Sequence, residues 1–548
     1  MKKIHIAAAS LLMLAFTSCS GFLNQDNKGN IGQPDYYTTL AGFQSLSNAS
    51  YSILRTLCGG DPWLTAGGTD LYASGRTGVN PVAVYSITSS DTDVKTFYTD
   101  YYKAISLTND VIYWGKDDQE RAQLVAEARG MRAMYYLTLV QQFGGVPLVI
   151  ERQSGMMANT PRKSAAEIYK FVIDELKDLA DNSALLDKAT GTNIGHFDKR
   201  AAAHFLAKAY LCRGYESFAE SNDFANAKTY ADKAIGGDKL TTPFADLFSV
   251  KGETDNEIIF SVQYNLSTVE KPTNGNKQQA HFGAYLDGQE KGHKYTSSTL
   301  TPTIRMHEIF AENTGDPSAD ERYEGTFMIE LRASYWDFYD SAKKNSSPVT
   351  YYYCPEWLLA DTAAWRAELP SRANAIIVEM IPVGNSINNV ETTYEAKAKE
   401  DVYGVASFRK FDDTDNKGTF STTASMRDII LARLGETYLI AAEALVKQNL
   451  PDQAVTYINE VRGRAKATLA TSAEMDIDYI LNERARELAG EYHRWTDLKR
   501  TGKLLEYVSK WNPDVEQSRL RSEYLLRPIP AAAIELNPAL EGNQNPGY

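Results

Sequence analysis

Three helical blocks near the C-terminus constrain the fold of this chain more than any other feature of its sequence. The blocks are residues 426–445, 454–465 and 480–500, and the proline-bracketed segment 524–530 follows them. Apolar residues recur at helical spacing in the first two blocks, as in amphipathic helices that bury one face. Small side chains at Ala442 and Ala454 would let these two helices approach closely. The two blocks therefore predict a helical hairpin of the tetratricopeptide type.

Similar helical patterns recur through the N-terminal half of the chain. Residues 200–215 and 224–235 predict a second hairpin, and further helices are predicted at residues 40–57, 94–112, 121–143 and 164–179. Hairpins of this kind bury their apolar faces by stacking on one another. We therefore predict a mainly α fold of stacked tetratricopeptide-type helical hairpins, with long loops and a few short β-strands.

The middle of the chain differs in character from both ends. Short apolar runs predict strands at residues 258–262, 327–331 and 376–381, and long polar loops are predicted at 265–303 and 336–372. Loops of this length inside a compact domain are usually functional or disordered. The second loop carries Trp336, Tyr339 and the three tyrosines 351–353, which favours a functional role.

Three glutamates in the third block could serve two different purposes. Glu483, Glu487 and Glu491 lie four residues apart, with Arg484 and Arg486 between them. Two of these carboxylates could act as a general acid and base. The alternative is ion pairing, in which each exposed pair contributes about 0.3–0.5 kcal/mol. We favour ion pairing and predict no catalytic residue.

The N-terminus has the pattern of a lipoprotein signal peptide. Two lysines follow Met1, and the mostly apolar run at residues 4–16 is shorter than the roughly 20 residues that a membrane-spanning helix needs. Small residues precede Cys19, which resembles a lipobox. We expect cleavage after residue 18, acylation of Cys19, and a polar tether that follows it.

Composition excludes several classes of function. The 548 residues include 57 basic and 70 acidic side chains, and the net charge of −13 argues against nucleic-acid binding. Besides Cys19 there are only Cys58, Cys212 and Cys354. Their spacing indicates neither a disulfide framework nor a metal site, and at most one disulfide bond could form among them. The sequence therefore indicates no metal site and no other cofactor, and it leaves open whether calcium assists ligand binding.

The order and spacing of the three C-terminal blocks, with the closing residues 543–548, resemble the C-terminal signature of the SusD/RagB family of nutrient-binding outer-membrane lipoproteins. Residues 126–148 resemble a second block of that family. The resemblance implies a protein held at the outer membrane through the lipid on Cys19, facing the cell exterior and capturing glycan without catalysis. It also implies a SusC-like TonB-dependent transporter as partner, with this protein lying over its extracellular mouth.

The resemblance further implies a shallow platform of aromatic rings, helped by amide and charged side chains. By position, this platform corresponds to the loop after the first long helix and to residues 282–295. From the loop we expect Trp63 and Tyr72 as stacking rings, with Asp70 and Arg76 as partners of sugar hydroxyls. The candidate rings from the middle of the chain are Tyr285, Tyr295 and Trp336.

These observations predict four regions in the chain. They are a signal peptide at 1–18, the lipidated Cys19 and tether at 19–38, an N-terminal helical region with tetratricopeptide-type hairpins at 39–245, and a C-terminal region at 246–548 whose segment 265–425 faces the ligand. Two other functions stay open. Some relatives serve peptide importers, which suggests peptide capture, and a surface glycoside hydrolase would need two carboxylates roughly 5–10 Å apart in a cleft.

Overall fold

The computed structural model describes most of the chain. The described residues are 33–153, 159–265, 267, 269, 274–288, 292–294, 296–312, 315–380, 404–415 and 424–548. The predicted signal peptide, Cys19 and Tyr295 lie outside the described residues. Within the described part, no helix combines the length and the apolar character that crossing a bilayer requires.

Helices dominate the described chain, and they are long at its two ends. The N-terminal helices are α1 (Gln33–Thr38), α2 (Leu40–Cys58), α3 (Thr92–Gly115), α4 (Ala122–Phe143), α5 (Ala165–Asn182), α6 (Lys199–Arg213) and α7 (Asp223–Ile235). Short helices follow: α8 (Phe244–Leu247), α9 (Gln278–His281), α10 (Ile304–Glu308), α11 (Glu321–Thr326) and α12 (Thr362–Glu368). The C-terminal helices are α13 (Leu434–Lys447), α14 (Pro451–Arg464), α15 (Ile477–Glu487), α16 (Arg494–Arg500), α17 (Leu504–Trp511) and α18 (Ala531–Leu536).

The long helices form one continuous stack. From α2 to α7 each helix packs against the next, α7 packs against α13, and α13 packs against α14. The two predicted hairpins are α6–α7 and α13–α14. Each buries small residues at the helix contact, including Ala207, Ala231, Ala442 and Ala454. The mainly α architecture of stacked hairpins is therefore confirmed.

Local signals set several of the helix ends. Ser164 accepts the backbone N–H of Glu167, and the Glu167 carboxylate accepts the backbone N–H of Ser164 at 2.8 Å, which completes the predicted capping box of α5. α4 ends at Phe143, and Gly144 after it has a φ of 69°, a positive value that glycine adopts without strain.

In the described part of the chain, seven short strands form three small sheets. The strands are β1 (Tyr72–Ser74), β2 (Ile258–Val262), β3 (Leu300–Pro302), β4 (Glu330–Arg332), β5 (Val349–Pro355), β6 (Ile376–Met380) and β7 (Ile429–Arg433). β1 pairs with β3 and β2 with β7, both antiparallel. In the third sheet β5 lies between β4, which is antiparallel to it, and β6, which is parallel.

Two predictions for these segments were wrong. The helix predicted from residue 426 begins only at Leu434, because Ile429–Arg433 pairs with β2 as a strand. The predicted loop 336–372 contains β5 and α12, and Tyr352 within it stacks on Trp365 with ring centroids 3.9 Å apart. The described cysteines Cys58, Cys212 and Cys354 are free thiols.

The third C-terminal block is two helices separated by a sharp turn. α15 ends at Glu487 and α16 begins at Arg494, with Gly490 and Tyr492 between them at φ values of 76° and 64°. Glu483, Glu487 and Glu491 are all buried, so the expected ion pairs form but are not exposed.

Glu487 lies at the centre of a buried ion network. Its carboxylate accepts from Arg433 at 2.6 Å and Arg322 at 3.2 Å, and it also contacts Arg464. Further pairs connect Glu483 with Arg322, Arg462 and Arg486, Glu257 with Arg433 and Arg464, and Glu491 with Arg433 and Lys410. The network joins α11, β7, α14 and α15, and its carboxylates are not accessible as catalytic groups.

Candidate functional site

Two of the predicted stacking rings lie in the hydrophobic core. Trp63 is 6% exposed and Tyr72 is 3% exposed. The Tyr72 ring packs against Phe282 with centroids 5.0 Å apart, and its hydroxyl accepts the backbone N–H of Gly490 at 2.8 Å. A ring buried to this extent has no face to offer a ligand. The structure therefore corrects the assignment of Trp63 and Tyr72 as a binding platform.

Asp70 is also buried and has a structural partner. Its carboxylate accepts Nε of Arg494 at 2.8 Å and Nη2 of Arg494 at 2.6 Å, so the pair is bidentate. The pair fixes the loop after α2 to the start of α16. The Arg494 guanidinium already engages both carboxylate oxygens in the interior, so Asp70 is not placed to contact sugar hydroxyls. The structure therefore corrects the expected role of Asp70 as a partner of sugar hydroxyls.

Arg76 and Tyr285, expected on opposite sides of the site, lie in direct contact. The Arg76 guanidinium carbon lies 4.4 Å from the centroid of the Tyr285 ring. Arg76 is exposed and Tyr285 is partly buried. The β1–β3 ladder places Ser74 opposite Leu300, and a bridge from Phe282 to Leu300 brings the segment that carries Tyr285 to the same place. The structure thus gathers two of the predicted residues from distant parts of the chain.

Gly75 allows the loop that carries Arg76 to approach β3. A Cβ at this position would lie 2.0 Å from the carbonyl oxygen of Ser298, and the Gly75 N–H donates to the carbonyl of Thr299 at 3.0 Å. We expect Gly75→Ala to disturb the pairing and to lower stability by about 1–3 kcal/mol. Thermal denaturation measures the loss. Gly60→Ala is the control, because its Cβ would meet open space, and equal effects of the two substitutions would contradict the prediction.

A second group of rings surrounds Trp336, and we call it the Trp336 cluster: Trp336, Phe338, Tyr339 and Arg409. The centroids of the Trp336 and Tyr339 rings are 6.1 Å apart. The Arg409 guanidinium lies 4.6 Å from the Phe338 ring and 5.5 Å from the Tyr339 ring. All three rings are partly buried, so each keeps some accessible surface.

Hydrogen bonds and an ion pair to Asp412 hold the Trp336 cluster in place. The hydroxyls of Tyr335 and Tyr339 donate to Oδ2 of Asp412 at 2.6 and 2.5 Å, and Lys294 Nζ contacts Oδ1 of the same residue at 2.6 Å. Burial lowers the pKa of Lys294, and the charge of Asp412 opposes that shift. Because these polar atoms pair with one another in the interior, the cluster has a defined orientation.

Gly292 and His293 contact the segment that carries the Trp336 cluster. The carbonyl of Gly292 accepts the backbone N–H of Tyr335 at 3.1 Å, and Nδ1 of His293 accepts the same N–H at 3.2 Å. Burial lowers the pKa of His293, which favours the neutral ring that this acceptor role requires. These contacts hold Gly292 and His293 against the start of the run that carries Trp336, Phe338 and Tyr339.

This arrangement has the features of a surface that binds a ligand. Partly exposed rings offer flat apolar faces, and Arg76 and Arg409 offer several N–H donors beside them. Ligands with C–H faces and hydroxyl edges suit such a surface. Among the described residues, no three His, Cys, Asp or Glu side chains are grouped to hold a metal ion.

Sequence reasoning missed Phe338 and Arg409. The run of four aromatic side chains between residues 335 and 339 was a visible signal for Phe338. No local signal could identify Arg409, since it reaches the cluster from 70 residues further along the chain.

Comparisons with known proteins agree with this architecture. Residues 256–548 match the model of the SusD family, and residues 73–211 match a model described as starch-binding, associating with outer membrane. A SusD-like protein of Bacteroides ovatus is 23% identical over 525 residues, which cover 91% of this chain and 82% of that protein. The starch-binding protein SusD of Bacteroides thetaiotaomicron is 26% identical over 446 residues, which cover 79% of this chain and 74% of that protein.

A solved structure shows the same fold. Surface glycan-binding protein A from Bacteroides uniformis superposes with a TM-score of 0.65 at 20% identity, covering 92% of this chain and 99% of that chain. The family model matches more than half of the 548 residues, in the C-terminal region where the buried ion network and the helical hairpin α13–α14 lie. The chain belongs to the SusD family.

Proposed function

We propose that this protein captures an oligo- or polysaccharide at the cell surface and contacts it with Arg76, Tyr285 and Trp336. The observation that carries the proposal is the contact between the exposed Arg76 and the partly buried Tyr285. The partly exposed rings of the Trp336 cluster add a second aromatic surface. Sugar rings present C–H faces that stack on aromatic rings, and hydroxyls that accept from guanidinium groups. Relatives named for binding starch and surface glycan support this ligand class.

The proposed mechanism needs no bond to be made or broken. Several weak contacts along a polymer give useful affinity through avidity. The three glutamates that an acid–base mechanism could use are buried in ion pairs, which favours binding over hydrolysis.

We further propose that the protein is anchored to the outer membrane by a lipid on Cys19 and faces the exterior. The apolar run before Cys19 and the matched description of proteins associating with the outer membrane support this location. A SusC-like TonB-dependent transporter is the proposed recipient of the captured glycan, and family membership supports that partner. The polar residues after Cys19 would serve as a tether.

A glycan array tests the proposed binding surface. Protein beginning at Ser20 is compared with Tyr285→Ala and Trp336→Ala variants, and we expect one polysaccharide class to bind with at least about tenfold loss in each variant. Tyr113→Ala is the matched control, because Tyr113 is 44% exposed on α3 and does not contact either group. Unchanged binding in both variants would place the site elsewhere. Folded protein that binds peptides and no glycan would favour the peptide-capture alternative.

A further inference from the structure

A cleft of about 280 Å³ has a different lining from the proposed glycan surface. It is bounded by the end of α2, one face each of α3 and α4, and the turn before α16. Arg76, Tyr285 and Trp336 do not line it. The cleft is large enough for a small organic molecule and is lined more by carbon than by polar atoms, as ligand sites usually are.

Aromatic rings form one wall of the cleft. Phe97 and Tyr101 lie one helical turn apart on α3, with ring centroids 4.5 Å apart. Tyr135 of α4 meets Tyr101 edge to face at 6.0 Å. Ring faces carry partial negative charge, so they attract a cation placed over them.

Carboxylates line the same cleft. Asp61, Asp93 and Asp100 all contribute to its lining. Asp100 pairs with the exposed Lys103 at 2.8 Å. Asp93 accepts from the uncharged amide of Asn80 at 2.7 Å and forms no ion pair with any described residue.

Asp61 forms no ion pair with a lysine or arginine among the described residues. Its nearest basic side chain is His281, at 3.6 Å. Burial lowers the pKa of His281 to about 3, so that ring is neutral at physiological pH. The pKa of Asp61 is raised, first by burial and then by the charge of Asp93, while Lys277 opposes the shift. Asp61 and Asp93 both line the cleft.

The remaining charged groups on the cleft wall are already neutralised. Lys208 pairs with Glu436 at 2.9 Å, and Asp497 pairs with Arg484 at 2.7 Å. Glu491 pairs with Arg433 and Lys410, as described above. Among the described carboxylates of the cleft wall, Asp61 and Asp93 are thus the two without an ion pair to a lysine or arginine, and Lys277 acts on Asp61 from outside the lining.

An unpartnered hydroxyl supplies an independent indication of a ligand. Tyr135 is fully buried on the cleft wall, and its hydroxyl has no hydrogen-bond partner among the described residues. A buried polar group without a partner costs about 1–3 kcal/mol. A polar group of a bound molecule would remove that cost.

We propose that this cleft binds a small organic cation that carries a primary ammonium group. The ammonium group would lie between Asp61 and Asp93, over the rings of Phe97 and Tyr101, and the body of the molecule would fill the apolar part beneath. No three metal ligands are grouped among the described residues, which favours an organic cation over a metal ion. Two sources share this chemistry: an amino sugar and the side chain of a lysine-containing peptide.

Isothermal titration with four small ligands tests the proposal. The ligands are methyl glucosaminide, its N-acetyl derivative, methyl glucoside and Nα-acetyl-lysine amide, each in slightly acidic buffer that keeps free amines protonated. We expect one or both amines to bind and the two neutral sugars to bind at least about tenfold more weakly. Binding of only one amine identifies which source the cleft prefers.

Asp61→Asn is the decisive variant, since it removes the charge and keeps the shape of a side chain that is 53% exposed. We expect it to weaken amine binding at least about tenfold. Asp174→Asn is the matched control, because its side chain is 61% exposed on α5, far from the cleft lining. Equal affinity for methyl glucoside, unchanged amine affinity in Asp61→Asn, or no amine binding up to about 10 mM would overturn the proposal. Tyr285→Ala and Trp336→Ala should leave amine binding unchanged, so the outcome is independent of the proposed glycan surface.

Discussion

Glu487→Gln should lower the free energy of unfolding by about 3–5 kcal/mol. The Glu487 side chain is fully buried, and its two oxygens contact Arg322, Arg433 and Arg464. Glutamine keeps the shape of the side chain but removes the charge, which leaves guanidinium groups in the interior without full compensation. These arginines come from α11, β7 and α14, so the substitution weakens the contact of several elements at once. The midpoint of guanidinium chloride denaturation measures the loss.

The same carboxylate predicts how stability depends on pH. Burial would raise the pKa of Glu487, but the charges of Arg464, Arg433 and Arg322 outweigh burial and hold its pKa below the usual range. A carboxylate with a lower pKa in the folded state contributes stability above its unfolded pKa and loses that contribution as the pH falls. The stability difference between the variant and the unaltered protein should therefore be complete at neutral pH and shrink below about pH 4.

An exposed ion pair provides the control for this prediction. Glu516 pairs with Arg519 at 3.3 Å, and its side chain is 66% exposed. Glu516→Gln should change stability by less than about 0.5 kcal/mol, because water already solvates both charges. If Glu487→Gln costs no more than Glu516→Gln, the arginines of the network do not depend on Glu487 for compensation, and the prediction is wrong.

The helices were predictable from sequence because their signals are local. The capping box at Ser164 and the glycine at Gly144 set the ends of α5 and α4, and both are visible in the sequence. The strand β7 was not predictable in this way. Ile429, Ile430 and Leu431 fit a helix as well as a strand, and pairing with β2, more than 160 residues earlier, decides the outcome.

The candidate site shows the same division between local and distant signals. Arg76 and Tyr285 were predicted from the positions of their segments, and the β1–β3 ladder brings them together. Sequence could not show that Trp63 and Tyr72 face the core, because loop residues carry no periodicity that distinguishes inside from outside. Arg409 reaches its cluster only through the tertiary fold.

Trp63→Ala should mainly lower stability, and Trp336→Ala should mainly weaken glycan binding. Trp63 is 6% exposed in the main core, so its truncation leaves a cavity and should cost about 3–5 kcal/mol of stability. Trp336 is partly buried and packs on Tyr335 and Tyr339 near the surface. Its truncation should cost only about 1 kcal/mol, as is usual away from the core. Denaturation curves for the two variants measure this difference.

When glycan affinity is measured on folded protein, Trp336→Ala should lose more affinity than Trp63→Ala. With the binding glycan identified by the array, Trp336→Ala should weaken affinity at least about tenfold, because an aromatic anchor contributes more than most contacts of an interface. Trp63→Ala should keep its affinity for the fraction that remains folded, since its ring has no accessible face. Loss of affinity in a fully folded Trp63→Ala variant would contradict the burial argument and return Trp63 to the binding surface. Loss of both stability and binding in Trp336→Ala would show that the Trp336 cluster supports the fold, which would leave the Arg76–Tyr285 pair as the binding contact to test.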